Sequence, residues 1–113
     1  MNPTVASCVD RVIDDDWRFT FSCSDPNTGL AFNLIGYTPG GVLSSPLGMT
    51  LDIVGGLVDY SQLSLGIFTF NIPRATTATF VPDETSYRLQ VYLIDPTNIK
   101  RTYGVVPIRV FAA

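Results

Sequence analysis

The acidic residues near the start of the chain come closest, in type and spacing, to a metal site. Asp10 and the run Asp14-Asp15-Asp16 gather four carboxylates in a short segment, and hard cations such as Ca²⁺ bind clustered carboxylate oxygens. The spacing differs from that of an EF-hand loop, and no second acidic segment completes a shell of six or more oxygens. A solvated hairpin turn explains the same run, since aspartate is favoured in turns. We therefore expect no bound metal.

Catalytic residues are equally sparse. The pair Asp83-Glu84 does not predict general acid–base catalysis, because adjacent side chains of an extended chain point in different directions. Histidine is absent from the chain, which removes the commonest general base and leaves the serines without a partner to activate them. Gly40-Gly41 is not a phosphate-binding loop, since no lysine follows it. We expect the chain not to be an enzyme and to need neither a cofactor nor a small-molecule substrate.

The two cysteines, Cys8 and Cys23, leave three states open. If the first two strands form a hairpin with a two-residue turn, Cys8 lies opposite Cys23 at a spacing that suits a disulfide bond. A three-residue turn instead pairs Val9 with Phe21, which fits the apolar pattern better and leaves Cys8 out of line. Free thiols are expected in a reducing cytosol. A disulfide between subunits could form once an assembled particle leaves the cell.

Alternating apolar and polar residues predict the strands that position these groups. Leu65–Ile72, Tyr87–Ile94 and Trp17–Cys23 each place β-branched or aromatic residues on one face, which is typical of half-buried antiparallel strands. Further strands are predicted over Val5–Ile13, Phe32–Tyr37, Met49–Val54, Ile99–Tyr103 and Val105–Phe111. Pro107 lacks a backbone donor, so the last strand is expected at a sheet edge or with a bulge.

Two connecting segments lack a clear strand pattern. Arg74–Phe80 has little alternation and is bracketed by prolines, which predicts one helical turn or a crossover between sheets. Thr38–Gly48 holds three glycines and two prolines and predicts a loop or an irregular edge. With turn signals about every 8–12 residues, the chain is expected to form one antiparallel β-sandwich or barrel of seven or eight short strands over residues 1–113.

Composition narrows the classes of partner. Charged residues make up 15% of the chain, against about 25% in a typical domain, so part of the weakly polar surface is expected to face another protein. A net charge of −3 argues against nucleic-acid binding. No apolar run reaches the length of a membrane helix, and no secretory signal is recognisable, so synthesis in the cytoplasm is expected.

Aromatic residues offer an alternative from another functional class. A sugar-binding platform could use the following residues: Trp17, Tyr37, Tyr60, Tyr92 and Tyr103. Such residues more often fill a core or an interface, and no amide or charged cluster accompanies them. An adhesin-like or carbohydrate-binding module is therefore the second hypothesis.

Several short motifs follow one another in a characteristic order. They are Trp17–Phe21, Asp25–Gly29, Asn33–Tyr37, Gly66–Ile72, Ala75–Ala78, Tyr87–Leu93 and Tyr103–Val110. This order resembles the small immunoglobulin-like structural domains of tailed bacteriophages, including the N-terminal domain of baseplate upper proteins. The resemblance implies an immunoglobulin-like antiparallel β-sandwich that oligomerises or docks to neighbouring virion proteins, with no catalytic residues.

The resemblance therefore implies a virion structural protein of the tail, baseplate, neck or head surface, made in the host cytoplasm. It also implies a homo-oligomer with other virion proteins as partners. From the charge and the lack of a long apolar run, we expect no contact with nucleic acid or membrane. The middle of the chain, Thr38–Leu63, matches poorly, so the contacts particular to this protein are expected there. The residues predicted for that contact loop are Thr38, Pro39, Gly40, Gly41, Val42, Leu43, Pro46 and Leu47.

Overall fold

The computed structural model describes residues 4–5 and 8–113 and consists of two β-sheets around one hydrophobic core. The strands are β1 (Thr4–Val5), β2 (Val9–Val12), β3 (Trp17–Ser22), β4 (Thr38–Ser44), β5 (Thr50–Ile53), β6 (Val58–Asp59), β7 (Ile67–Ile72), β8 (Asp83–Ile94) and β9 (Lys100–Phe111). One short helix, α1 (Arg74–Thr77), and two 3-10 turns (Gly55–Leu57 and Leu63–Leu65) complete the elements. The all-β class is confirmed, as is the helical turn after β7.

The larger sheet has six strands in the order β1-β9-β8-β4-β5, with β2 pairing further along β9. The smaller sheet has the order β3-β7-β6. Neighbouring strands run antiparallel, except that β1 and β2 both run parallel to β9. In the part of the chain that the structure describes, no helix is long and apolar enough to cross a membrane.

The core lies between the two sheets because each sheet turns one apolar face inward. Phe68, Phe70 and Ile72 are the buried positions of β7, and every second residue between them is more exposed. Tyr87 and Leu89 are the first buried positions on the facing strand β8. Burying a large apolar side chain stabilises the fold by about 1.5–3 kcal/mol, so this alternation holds the two layers together.

The predicted hairpin between the first two long strands does not form. β2 pairs with β9 in the larger sheet, whereas β3 pairs with β7 in the smaller one. The aspartate turn between them therefore crosses from sheet to sheet, with Asp14 at a φ of 66°. The indole N–H of Trp17 donates to the carbonyl oxygen of Val12 at 2.8 Å, which fixes the crossing. Neither predicted register was right, because alternation identifies a buried face but not the pairing partner.

The glycine-rich segment is the second correction. Residues 38–44 form β4, which lies inside the larger sheet between β5 and β8, whereas Phe32–Tyr37 is irregular apart from one isolated bridge at its flank. A Cβ atom on Gly41 would lie 2.8 Å from the ring of Phe70, and one on Gly40 would lie 2.6 Å from the ring of Tyr92. Glycine is found here because aromatic rings pack directly on the strand backbone.

The last strand is a single element of 12 residues and not two strands. Pro107 is not at an edge, because β9 has β8 on one side and β1 and β2 on the other. β1 pairs with β9 before this proline and β2 pairs with β9 after it. The two pairing registers differ by one residue. A bulge in the pairing with β8 leaves Tyr103 as the extra residue. The phenol of Tyr103 contacts the ring of Phe68 and donates to the carbonyl oxygen of Ser22 at 2.8 Å, which links the two sheets.

Candidate functional site

An apolar pocket opens between the β4–β5 turn and the segment that joins α1 to β8. We call it the corner pocket. Its volume is about 150 Å³. Its walls include Leu43, Leu51, Phe80 and Tyr87. Among the described residues, its lining contains no charged side chain, so the pocket suits a neutral, largely apolar group.

The β4–β5 turn builds one side of the corner pocket. The amide of Ser45 donates to the carbonyl oxygen of Met49 at 2.9 Å, and the amide of Gly48 donates back to Ser45 at 3.2 Å. Gly48 has a φ of 77°, a left-handed conformation that glycine adopts without a steric penalty. This tight turn leaves Leu47 and Met49 68% and 61% exposed at the rim.

The opposite side is built by the connection between β7 and β8. The carboxylate of Asp16 accepts the amide N–H of Arg74 at 2.7 Å, at the start of α1. The hydroxyl of the buried Thr77 donates to the carbonyl oxygen of Asp15 at 2.7 Å. These bonds attach α1 to the β2–β3 crossing. They place Phe80 within 5.2 Å of Trp17, measured between ring centroids.

Tyr87 fixes the chain at the mouth of the pocket. Its hydroxyl donates to the carbonyl oxygen of Val81 at 2.8 Å and accepts the amide N–H of the same residue at 3.2 Å. Burial raises the pKa of Tyr87 above its usual value, so the phenol stays protonated and able to donate. Val81 is held at the rim, where its side chain is 38% exposed.

Ser45 is one of several hydroxyl-bearing residues that line the pocket, with Thr50, Thr76 and Thr79. Its Oγ is buried, and no hydrogen-bond partner for it is found within residues 4–5 and 8–113. A buried hydroxyl without a partner costs about 1–3 kcal/mol. Buried polar groups normally have a partner, so this hydroxyl is a local cost at the start of the β4–β5 turn.

The acidic residues singled out from the sequence have separate structural roles. Asp10 forms a bidentate ion pair with Arg109, at 2.6 and 2.9 Å. Asp14 lies 3.8 Å from the guanidinium of Arg74, at the exposed end of α1. Asp83 accepts the amide N–H groups of the two residues after Glu84, which lowers its pKa. Within the described residues, no three metal-binding side chains lie together.

The two cysteines are not bonded to each other. Cys8 is an exposed free thiol and Cys23 is a buried one. The intrachain disulfide considered from the sequence is therefore wrong, because it depended on a β2–β3 hairpin that does not form. Burial raises the pKa of the Cys23 thiol, which disfavours its reactive thiolate form.

The aromatic residues do not form an exposed platform. Trp17 is buried in the core, at 1% exposure. Tyr37, Tyr60 and Tyr103 are half-buried and Tyr92 is buried. The ring of Tyr92 is also covered by the ammonium group of Lys100 at 4.4 Å. These positions are those of core and cross-sheet residues.

The predicted contact loop falls into two parts. Thr38–Ser44 belongs to the strand β4, in which Pro39, Gly40, Gly41 and Leu43 are buried. This part is not a loop. Pro46 and Leu47 do lie in a turn. The sequence patterns did not single out Ser45, Met49 and Val81. The short Ser-Pro-Leu-Gly turn motif is a signal for the first two, whereas Val81 has none.

Comparisons with known proteins do not assign the chain to a family. No protein-family model matches it, and the curated proteins give no match. The resemblance to phage domains therefore stays a prediction from the residues of this chain.

Proposed function

We propose that this chain is a structural protein of a tailed-bacteriophage virion. It is an immunoglobulin-like domain that works through contacts with neighbouring virion proteins and with copies of itself. The corner pocket with its apolar rim supports the proposal that the chain docks to other proteins. The order of sequence motifs supports the proposal that these proteins belong to a phage virion.

The strand order supports the immunoglobulin-like class. In variable-type immunoglobulin domains, strands C, F and G and the added strand C′ share one sheet, and strands B, E and D share the other. In the larger sheet, β4, β8 and β9 take the positions of C, F and G, and β5 takes that of C′. In the smaller sheet, β3, β7 and β6 take the positions of B, E and D. In the constant-type pattern, strand A lies in the same sheet as strand B. β1 and β2 depart from this pattern, because they pair with β9 and not with β3.

Tyr87 adds a second, local argument. Many immunoglobulin-like domains have a tyrosine near the start of strand F whose hydroxyl bonds to the backbone a few residues upstream. Tyr87 near the start of β8 bonds to Val81 in this manner. Leu89, two residues further on and fully buried, takes the position where antibody domains have the second cysteine of their disulfide bond.

The surface supports a role in assembly. Leu47, Met49 and Val81 form an exposed apolar rim around the corner pocket, and exposed apolar side chains grouped at a pocket suit contact with another protein. β5 lies at the end of the described strand order of the larger sheet, and such edges can pair with another chain. The protein therefore acts by binding and not by catalysis.

Mass spectrometry of purified phage particles tests this function. Particles produced from the genome that encodes this chain should contain it at a fixed copy number consistent with virion symmetry. Absence from purified particles would overturn the proposal. A monodisperse monomer at high protein concentration would overturn its self-association part.

A further inference from the structure

We propose that β5 pairs edge to edge with β5 of a second copy of the chain. The two strands run antiparallel around a two-fold axis that passes between their Leu51 residues, and the two larger sheets become one continuous sheet. This inference rests on the self-association part of the proposed function, since it gives that contact a strand, a partner and a register. It does not depend on what occupies the corner pocket.

The outer edge of β5 has free backbone groups. The amide of Ser45 donates to the carbonyl oxygen of Met49, so every second residue from Met49 onward points its backbone groups at β4. Thr50 and Asp52 are the alternate residues, and their N–H and C=O groups point away from β4. No strand of the described residues lies on that side. A row of unpaired backbone groups of this kind is a template for pairing with another strand.

The edges of the smaller sheet offer no comparable row. On β3, the carbonyl oxygen of Arg18 accepts a guanidinium N–H of Arg11 at 3.0 Å, and that of Ser22 accepts the hydroxyl of Tyr103 at 2.8 Å. Side chains of the chain itself therefore occupy the outer edge of β3. At the other end of this sheet, β6 has only 2 residues. β5 is thus the better edge for a second chain.

One register makes β5 complementary to itself. With Leu51 opposite Leu51 of the second copy, Thr50 of each chain lies opposite Asp52 of the other, and their outward backbone groups bond in both directions. A register shifted to place Asp52 opposite itself brings like charges together, which is destabilising. The opposite shift places Asp52 against Gly48, which has a φ of 77° and lies in the turn, so the ladder cannot continue there.

The side chains fit the same register. Leu51 is half-buried and meets its own counterpart across the axis. Met49, which is 61% exposed, comes opposite Ile53 of the second copy, so the pairing covers apolar surface. On the other face, the hydroxyl of Thr50 can donate to the carboxylate of Asp52 from the second copy. Because both chains use the same surface, the contact closes as a dimer.

Rates of disulfide cross-linking locate the two-fold axis. Three variants are made in a Cys8→Ser background: Leu51→Cys, Thr50→Cys and Asp52→Cys. Each is oxidised mildly with copper phenanthroline and followed on non-reducing gels. Directly opposite Cβ atoms lie about 4.5–5.5 Å apart and diagonal ones about 7–8 Å, so we expect Leu51→Cys to cross-link about tenfold faster than the others. Random collision gives the reverse order, because positions 50 and 52 are the more exposed.

Charge at position 50 provides a second test, which leaves the core unchanged. Thr50→Asp places carboxylates opposite each other on both sides of the axis, so we expect the dimer to dissociate about tenfold more readily. Thr50→Lys faces Asp52 of the second copy and should strengthen the dimer. Sedimentation equilibrium measures both dissociation constants. The same two substitutions at the exposed Ser64 control for the change in net charge.

The outcomes separate this inference from the proposed function. Faster cross-linking at position 50 or 52, or equal effects of charge at positions 50 and 64, would overturn the β5 pairing and leave self-association intact. A chain that stays monomeric at high concentration would overturn both. The amide spectrum verifies that each variant is folded, and the charge variants decide if Leu51→Cys is not. The particle measurement above can succeed or fail independently of these results.

Discussion

The hydroxyl of Tyr87 bonds to both backbone groups of Val81, donating to its carbonyl oxygen at 2.8 Å and accepting from its amide at 3.2 Å. These two bonds hold the segment that joins α1 to β8 in place, next to the opening of the corner pocket. The tyrosine therefore contributes to the core with its ring and to the site with its hydroxyl.

Tyr87→Phe tests this relationship. The ring remains in the core, but the backbone of Val81 loses two hydrogen bonds, so we expect the free energy of unfolding to fall by about 1–2 kcal/mol. Urea denaturation measures the change. Tyr60→Phe is the control, because the hydroxyl of Tyr60 makes one long bond of 3.4 Å. Equal losses in the two variants would contradict the role given to Tyr87.

Gly41→Ala tests the packing of an aromatic ring on β4. The new Cβ would lie 2.8 Å from the ring of Phe70 and 3.1 Å from the carbonyl oxygen of Gln90. Since both neighbours are confined by the core, we expect a loss of about 2 kcal/mol from overpacking. Gly56→Ala is the matched control, because its Cβ would meet no atom within 4 Å. Thermal unfolding that gives the same midpoint for both variants would contradict this account.

The two thiols should differ in reactivity. Cys8 is exposed, whereas Cys23 is buried with a raised pKa, and only the thiolate is nucleophilic. We expect iodoacetamide at pH 8 to modify Cys8 at least tenfold faster than Cys23 in the folded protein. Mass spectrometry of peptides follows both sites, and denaturant should abolish the difference. Rapid modification of Cys23 in a folded Cys8→Ser variant would show that the thiol is accessible.

Stability should decrease at alkaline pH. Burial raises the pKa of Tyr103, whereas a tyrosine in the unfolded chain titrates near about 10. Between these two values the unfolded chain binds fewer protons than the folded one, so the free energy of unfolding falls as the pH rises above 10. Urea denaturation at several pH values should give a shallower decline for Tyr103→Phe. An unchanged slope in that variant would contradict this assignment.

Strand positions could be predicted from the sequence where alternation was strong. Ile67–Ile72 and Asp83–Ile94 overlap closely with the predicted ranges, because one face of each strand is buried. β4 was missed because its glycines accommodate aromatic rings, a contact visible only in three dimensions. The β2–β3 crossing was missed because a turn sequence does not specify which sheet the next strand joins.

The corner pocket could be predicted only in part. Its lining residues Leu43 and Leu47 were singled out from the sequence, but as part of an irregular loop. Val81 lies far from them along the chain, and it reaches the pocket through the topology of the sheets and the bond to Tyr87. Neither relation has a signal in local sequence.

Incorporation of rim variants into phage particles tests the central claim most directly. Leu47 and Leu30 are almost equally exposed, at 68% and 69%, but only Leu47 lines the corner pocket. We predict that Leu47→Asp strongly lowers the copy number of this protein in purified particles, measured by quantitative mass spectrometry, whereas Leu30→Asp leaves it unchanged. Equal incorporation of the two folded variants would contradict docking through the corner pocket.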